Sequence, residues 1–181
     1  MVAPKPAKRR PRAHHKHARS FHAQRPRTEW HPPFGALLEA RRPRQVQVQL
    51  EALLQRQSQR VDALLLRRVG GTHDPSDEGR VLRRMWRRIP RVALLEFKSV
   101  ARLFAAGDLY RLVALAWHWL ARNTDHVPSD MLLVLVVPAI TDVLRNELAQ
   151  CNATLVPDGE GYHLAEVHGL RLLVAEVDVV C

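Results

Sequence analysis

The sequence predicts an α/β fold with a central mixed sheet flanked by helices, in the order helix, strand, strand, strand, helix, strand (αβββαβ). Three observations lead there. Apolar runs at 61–66, 92–95 and 131–137 are too continuous for exposed edge strands and read as strands buried on both faces. Between them lie segments with helical spacing of apolar residues, above all 108–120. Pro43, Pro90 and Pro138 close successive elements, since proline lacks the amide hydrogen that a helix interior or central strand requires. At 181 residues the chain suits one domain with a real core and is short for two.

Residues 1–28 carry nine of the 28 Lys and Arg side chains and none of the 18 Asp and Glu, so the formal charge of +10 resides mainly in this segment. Rich in Pro, Ala, His, Lys and Arg, it has too little apolar surface to offset its chain entropy and is expected to be a disordered basic arm. It reads either as a solvated ligand for phosphate backbones or as a linker. The body, residues 29–181, is then nearly neutral. His14, His15, His17 and His22 cluster in the arm, but without cysteine and in a floppy segment they make no defined metal site.

Residues 30–42 form the first helix, with Phe34, Leu37 and Leu38 at helical spacing after Pro32 and Pro33. Val46, Val48 and Leu50 alternate with Gln45, Gln47 and Gln49, the pattern of a half-exposed strand. Residues 60–68 form the second strand, in which Asp62 is out of place as a simple core residue. Ser76 is placed to cap a helix with Val81, Leu82, Met85, Trp86 and Ile89 on one face and Arg80, Arg83, Arg84, Arg87 and Arg88 on the other. That arginine face reads as a grip for a DNA backbone or as an ordinary solvated face. Residues 91–98 form the third strand, and a long amphipathic helix follows the break at Gly107 and Asp108. A fourth strand at 131–137 and a helix at 141–150 capped by Thr141, or by the preceding turn, come next, before short β segments that run to the C-terminus. Ending on an apolar strand at 177–181 suggests truncation.

Several classes are disfavoured. The first twenty residues lack an apolar core segment, so no secretory signal is read, and a cytoplasmic location is expected. The stretch 103–120 is interrupted by Asp108 and Arg111, and 131–140 is about half the length of a membrane span, so no membrane partner is expected. Cys151 and Cys181 are too few for a disulfide framework or a zinc site.

The most informative residue is Lys98. It is the only lysine outside the first sixteen residues of a chain that writes its positive charge as 24 arginines and four lysines. A lysine is a compact point charge that can sit beside a bound water, which a planar guanidinium cannot do. A strand places Glu96 and Lys98 on one face, and Asp62 joins them if the second and third strands are neighbours. Two carboxylates around a divalent cation, with an ammonium beside the water they hold, suit phosphodiester hydrolysis. Mg²⁺, or Mn²⁺ in its place, fits such oxygen ligands. The plain alternative is a same-face ion pair at a sheet end.

This arrangement resembles the PD-(D/E)XK nuclease superfamily, the restriction-endonuclease-like enzymes. The residues that carry the resemblance are Asp62 in Arg60-Val61-Asp62-Ala63-Leu64-Leu65-Leu66 and the triplet Glu96-Phe97-Lys98, over roughly 30–150. The local wording is similar to that of small bacterial uncharacterised or transposase-associated members. The resemblance implies a restriction-endonuclease-like αβββαβ core and a metal-dependent DNA endonuclease, with Asp62 and Glu96 as metal ligands, Lys98 assisting the attacking water and Glu39 on the first helix in support. Glu51, just past the first strand, is an equally placed rival to Glu39. Arg83, Arg84, Arg87 and Arg88 are the candidate DNA contacts, and cutting both strands would imply a homodimer. Val61 stands where the fullest pattern has proline, and the helix after the triplet lacks the Gln-x-x-x-Tyr signature of the RecB-like branch. A catalytically inactive remnant that binds nucleic acid or protein through the same fold is the alternative function. His118 and His31 receive no chemistry.

Overall fold

The computed structural model describes residues 31–52, 60–68 and 82–177. The basic arm, the Ser76 cap and the last four residues lie outside the described residues. Among the described residues, seven strands form one mixed sheet in the order β1-β2-β3-β4-β7-β6-β5, flanked by four α-helices. In chain order these are α1 (His31–Arg41), β1 (Val46–Leu50), β2 (Ala63–Arg67), α2 (Arg83–Arg88), β3 (Val92–Phe97), α3 (Asp108–Arg122), β4 (Met131–Val137), α4 (Asp142–Gln150), β5 (Val156–Pro157), β6 (Tyr162–Val167) and β7 (Leu170–Glu176). The helix, three strands, helix and strand expected from the sequence are present, with α2 between β2 and β3.

β1, β2 and β3 are antiparallel neighbours, whereas β4 runs parallel to β3 and β7 parallel to β4. The parallel interior explains the composition. Every residue of β3 and β4 is buried, as expected for strands covered on both faces. β6 and β5 then finish the sheet as antiparallel strands.

Alternation along β3 sorts its side chains between two cores. Val92 and Leu94 pack with Leu109, Leu112, Leu115 and Ala116 of α3 and with Leu144 and Leu148 of α4. Ala93, Leu95 and Phe97 pack on the other face, with Phe34 and Leu38 of α1 and Met85 and Trp86 of α2. Phe34 stacks on Phe97 with ring centroids 4.3 Å apart. By the same parity Glu96 belongs to the α3 face.

The start of α3 is held by a residue from α4. Glu147 is buried, and its carboxylate accepts hydrogen bonds from the backbone amides of Gly107 and, at 3.1 Å, of Leu109. The first amides of a helix have no internal partner, and a carboxylate there also matches the positive end of the helix dipole. Gly107 has φ of +89°, a conformation that favours glycine. α4 in turn begins at Thr141, whose hydroxyl accepts from the Leu144 amide at 3.4 Å as the sequence predicts.

Glu147→Ala leaves buried amides without an acceptor, and a loss of about 1–3 kcal/mol is expected; urea unfolding followed by circular dichroism measures it.

Candidate functional site

β3 ends in Glu96-Phe97-Lys98, and the backbone there is pinned on both sides. The Lys98 amide donates to the Val136 carbonyl of β4 at 2.8 Å. The Phe97 amide donates to Asp62 Oδ2, also at 2.8 Å. Asp62 therefore extends the β2–β3 ladder with a side chain where the strand itself has ended. The β2–β3 register ends with Ala63 opposite Leu95, and Asp62 follows that last pair.

Glu96 and Lys98 are almost wholly buried, with 4% and 1% of their side chains exposed. Lys98 Nζ lies 3.0 Å from Glu96 Oε1 and 2.8 Å from Asp108 Oδ2. Arg111 places its Nη2 on the same Glu96 oxygen and donates through Nη1 to the Arg60 carbonyl at 3.2 Å. The centre thus combines Glu96 and Lys98 from β3 and its end with Asp108 and Arg111 from the first turns of α3. Asp108 also accepts from the Ala105 amide at 3.0 Å. Burial works against the Asp108 anion, but the hydrogen bond from Lys98, the Ala105 amide and the charges of Lys98 and Arg111 outweigh it and hold this carboxyl below the usual carboxylate range.

Stability alone is a poor reason for such a cluster. Desolvating each ion costs several kcal/mol, and packed apolar residues commonly replace a buried ion pair without loss. An ordinary core position would be filled by leucine or valine, as at Leu94 and Leu135. The cluster also sits at the carboxyl end of a parallel strand, where open α/β sheets place their ligands.

The remaining sequence candidates fall elsewhere. Glu39 is exposed, pairs with Arg42 at 2.9 Å and lines a small depression with Arg44 and Arg68. Glu51 lies closer in structure to Asp62. Its amide donates to the Asp62 carbonyl at 2.7 Å, and the two residues border one cavity of about 390 Å³ beneath Phe34 and Leu38 of α1. Arg83, Arg84, Arg87 and Arg88 lie on α2, which precedes β3, and so sit toward the opposite end of the sheet from Lys98. His118 is half-buried on α3.

Asp108 and Arg111 were visible in the sequence only as charges interrupting an apolar stretch. The available signal was their spacing of three, which sets both on one helix face at the start of the helix that leaves β3.

For a divalent cation the donor set is chemically suitable. Asp62 and Glu96 offer hard carboxylate oxygens, and Mg²⁺ needs few of these because it keeps several waters. No cluster of three or more His, Cys, Asp or Glu side chains that could hold a metal ion occurs among the described residues. No helix among them is long and apolar enough to cross a membrane. Comparison of the chain with protein-family models, curated proteins and solved structures gave no match in any of the three.

The depressed Asp108 pKa fixes the sign of a pH effect. The folded state binds its proton less readily than the unfolded chain, so the stabilisation is complete above the unfolded value of about 3.9 and is lost as pH falls through the lower folded value. Acid unfolding monitored by circular dichroism should therefore show a stability loss below that pH which is smaller in Asp108→Asn.

Proposed function

We propose that this chain is a metal-dependent phosphodiesterase acting on DNA, with Asp62 and Glu96 as metal ligands and Lys98 as the cation beside the attacking water. The observation that carries this reading is the burial of the body's single lysine against Glu96 at a strand end, with the Asp62 carboxylate bonded to the amide of the residue between them. The mixed sheet and the element order support the same reading, since the PD-(D/E)XK resemblance implies an αβββαβ core, here with α2 between the second and third strands.

Bound Mg²⁺ or Mn²⁺ would supply an acidified water and neutralise charge on the phosphate. The protein's own part is positional. The two amide hydrogen bonds at Phe97 and Lys98 fix the backbone of the strand end that carries Glu96. The Lys98 ammonium, held between Glu96 and Asp108, is a fixed positive charge for the anion that develops as the bond to phosphorus forms. Arg111 is 36% exposed while Glu96 beneath it is 4% exposed, so it is the first cation of the cluster that an arriving phosphate meets. Its guanidinium can exchange the Glu96 carboxylate for a phosphate oxygen, a geometry it recognises equally well.

One observation favours a second reading. Lys98 and Arg111 both occupy Glu96 Oε1, a self-neutralised state expected of an inactive remnant that binds nucleic acid or protein through the retained fold. Metal titration by calorimetry separates the two, because only an intact site takes up Mn²⁺.

The direct test is cleavage of supercoiled plasmid in Mg²⁺ or Mn²⁺, beside an EDTA control. Metal-dependent nicking is expected, reduced roughly a hundredfold or more in both Lys98→Ala and Asp62→Asn. Asparagine keeps an oxygen for the Phe97 amide, so Asp62→Asn separates lost chemistry from lost folding. Full activity in both variants would sink the assignment.

A further inference from the structure

Glu96 meets both of its cationic partners on one oxygen. Lys98 Nζ lies 3.0 Å from Oε1, and the Arg111 guanidinium donates to the same atom. The two partners differ in their freedom to leave. Lys98 has 1% of its side chain exposed and is also held at 2.8 Å by Asp108, so its ammonium is locked in place. Arg111 has 36% of its side chain exposed, and its second tie is to a neutral acceptor, the Arg60 carbonyl at 3.2 Å.

The backbone beneath Arg111 is fixed. Its amide donates to the Gly107 carbonyl at 2.9 Å, and Glu147 holds the amides of Gly107 and Leu109. Release of Glu96 is therefore a swing of the Arg111 side chain, with α3 staying where it is. The formal charges of Glu96, Asp108, Lys98 and Arg111 cancel. A divalent cation arriving alone at Glu96 would share its oxygen with two positive groups and leave an excess of positive charge in a buried place, which weakly screened surroundings penalise. A phosphodiester changes both terms. It offers the guanidinium fork a pair of acceptor oxygens, and it brings a negative charge to the same point.

We propose that Arg111 makes divalent-cation uptake at Glu96 conditional on substrate: a bound phosphodiester draws the guanidinium off Oε1, and Glu96 then accepts the cation. Resting on Glu96 as a metal ligand, this gate adds the coupling of the two binding events. The free protein is held in a state of low cation affinity. By linkage, the cation strengthens DNA binding by the same factor by which DNA strengthens cation binding.

The test is Mn²⁺ uptake by the full chain, read from the paramagnetic resonance of free Mn²⁺, with and without a short phosphorothioate DNA duplex that resists cleavage. The duplex alone is the blank. Wild-type protein should bind Mn²⁺ roughly tenfold or more tightly when the duplex is present. Arg111→Gln should bind it tightly without DNA, and its gain on adding the duplex should fall to the small part due to direct contact between phosphate and cation. Arg102→Gln removes the same charge from the turn after Lys98, where Arg102 is bridged to Ser99, and should stay close to wild type. Circular dichroism checks the fold of each variant, and Arg111→Met, which keeps the aliphatic stem, repeats the measurement if the glutamine variant does not fold. Equal Mn²⁺ affinity with and without DNA in wild type, a gain undiminished in Arg111→Gln, or an equal rise in Arg102→Gln would each overturn the gate and leave the metal site standing. No Mn²⁺ uptake by any of the proteins in either condition would remove the metal site, and the gate with it.

Discussion

The arrangement at the end of β3 depends on one interaction, the burial of the Lys98 ammonium between Glu96 and Asp108 at 3.0 and 2.8 Å. A lysine with 1% of its side chain exposed is tolerable only if carboxylates replace its lost hydration. That requirement couples the strand end to the first turn of α3. Glu147 of α4 fixes that turn by accepting its amides. Through these contacts two helices and a strand are committed to one charged centre, although apolar packing could have joined them at lower desolvation cost.

The two strands beside β3 complete the constraint. Val136 of β4 accepts from the Lys98 amide, and Asp62 accepts from the Phe97 amide. Asp62 therefore has a structural task as well as its proposed metal-binding one. Backbone hydrogen bonds and buried side chains thus fix the end of β3 on both sides. The charged groups of the chain thereby fall into separate roles. Lys98, Glu96, Asp108 and Arg111 form the buried centre, Glu39 with Arg42 an exposed pair, and the α2 arginines a cleft at the far end of the sheet.

Much of this was legible along the chain. Continuous apolar runs marked β2, β3 and β4 because strands covered on both faces cannot alternate polar and apolar residues. Thr141 marked the start of α4 through its capping hydroxyl. Lys98 stood out because the body otherwise uses arginine. The partners of Lys98 beyond Glu96 were not legible in the same way. Asp108 and Arg111 lie ten and thirteen residues downstream, and on composition they only interrupt an apolar helix. Glu39 and Glu51 looked equivalent, since nothing local distinguishes a helix carboxylate turned to solvent from one just past β1 whose amide meets the Asp62 carbonyl.

The sequence by itself determined which segments are strands and helices, which faces are apolar, and that one lysine stands apart, because these follow from side-chain periodicity and from backbone limits on proline and capping residues. Only the tertiary structure decided which charges meet. The end of β2 brings the Asp62 carboxylate to the Phe97 amide, and the docking of α3 brings Asp108 and Arg111 onto the end of β3. The position of α2 before β3 sends the arginines to the other end. Pairing between distant residues depends on how whole elements pack, and local periodicity carries no record of that.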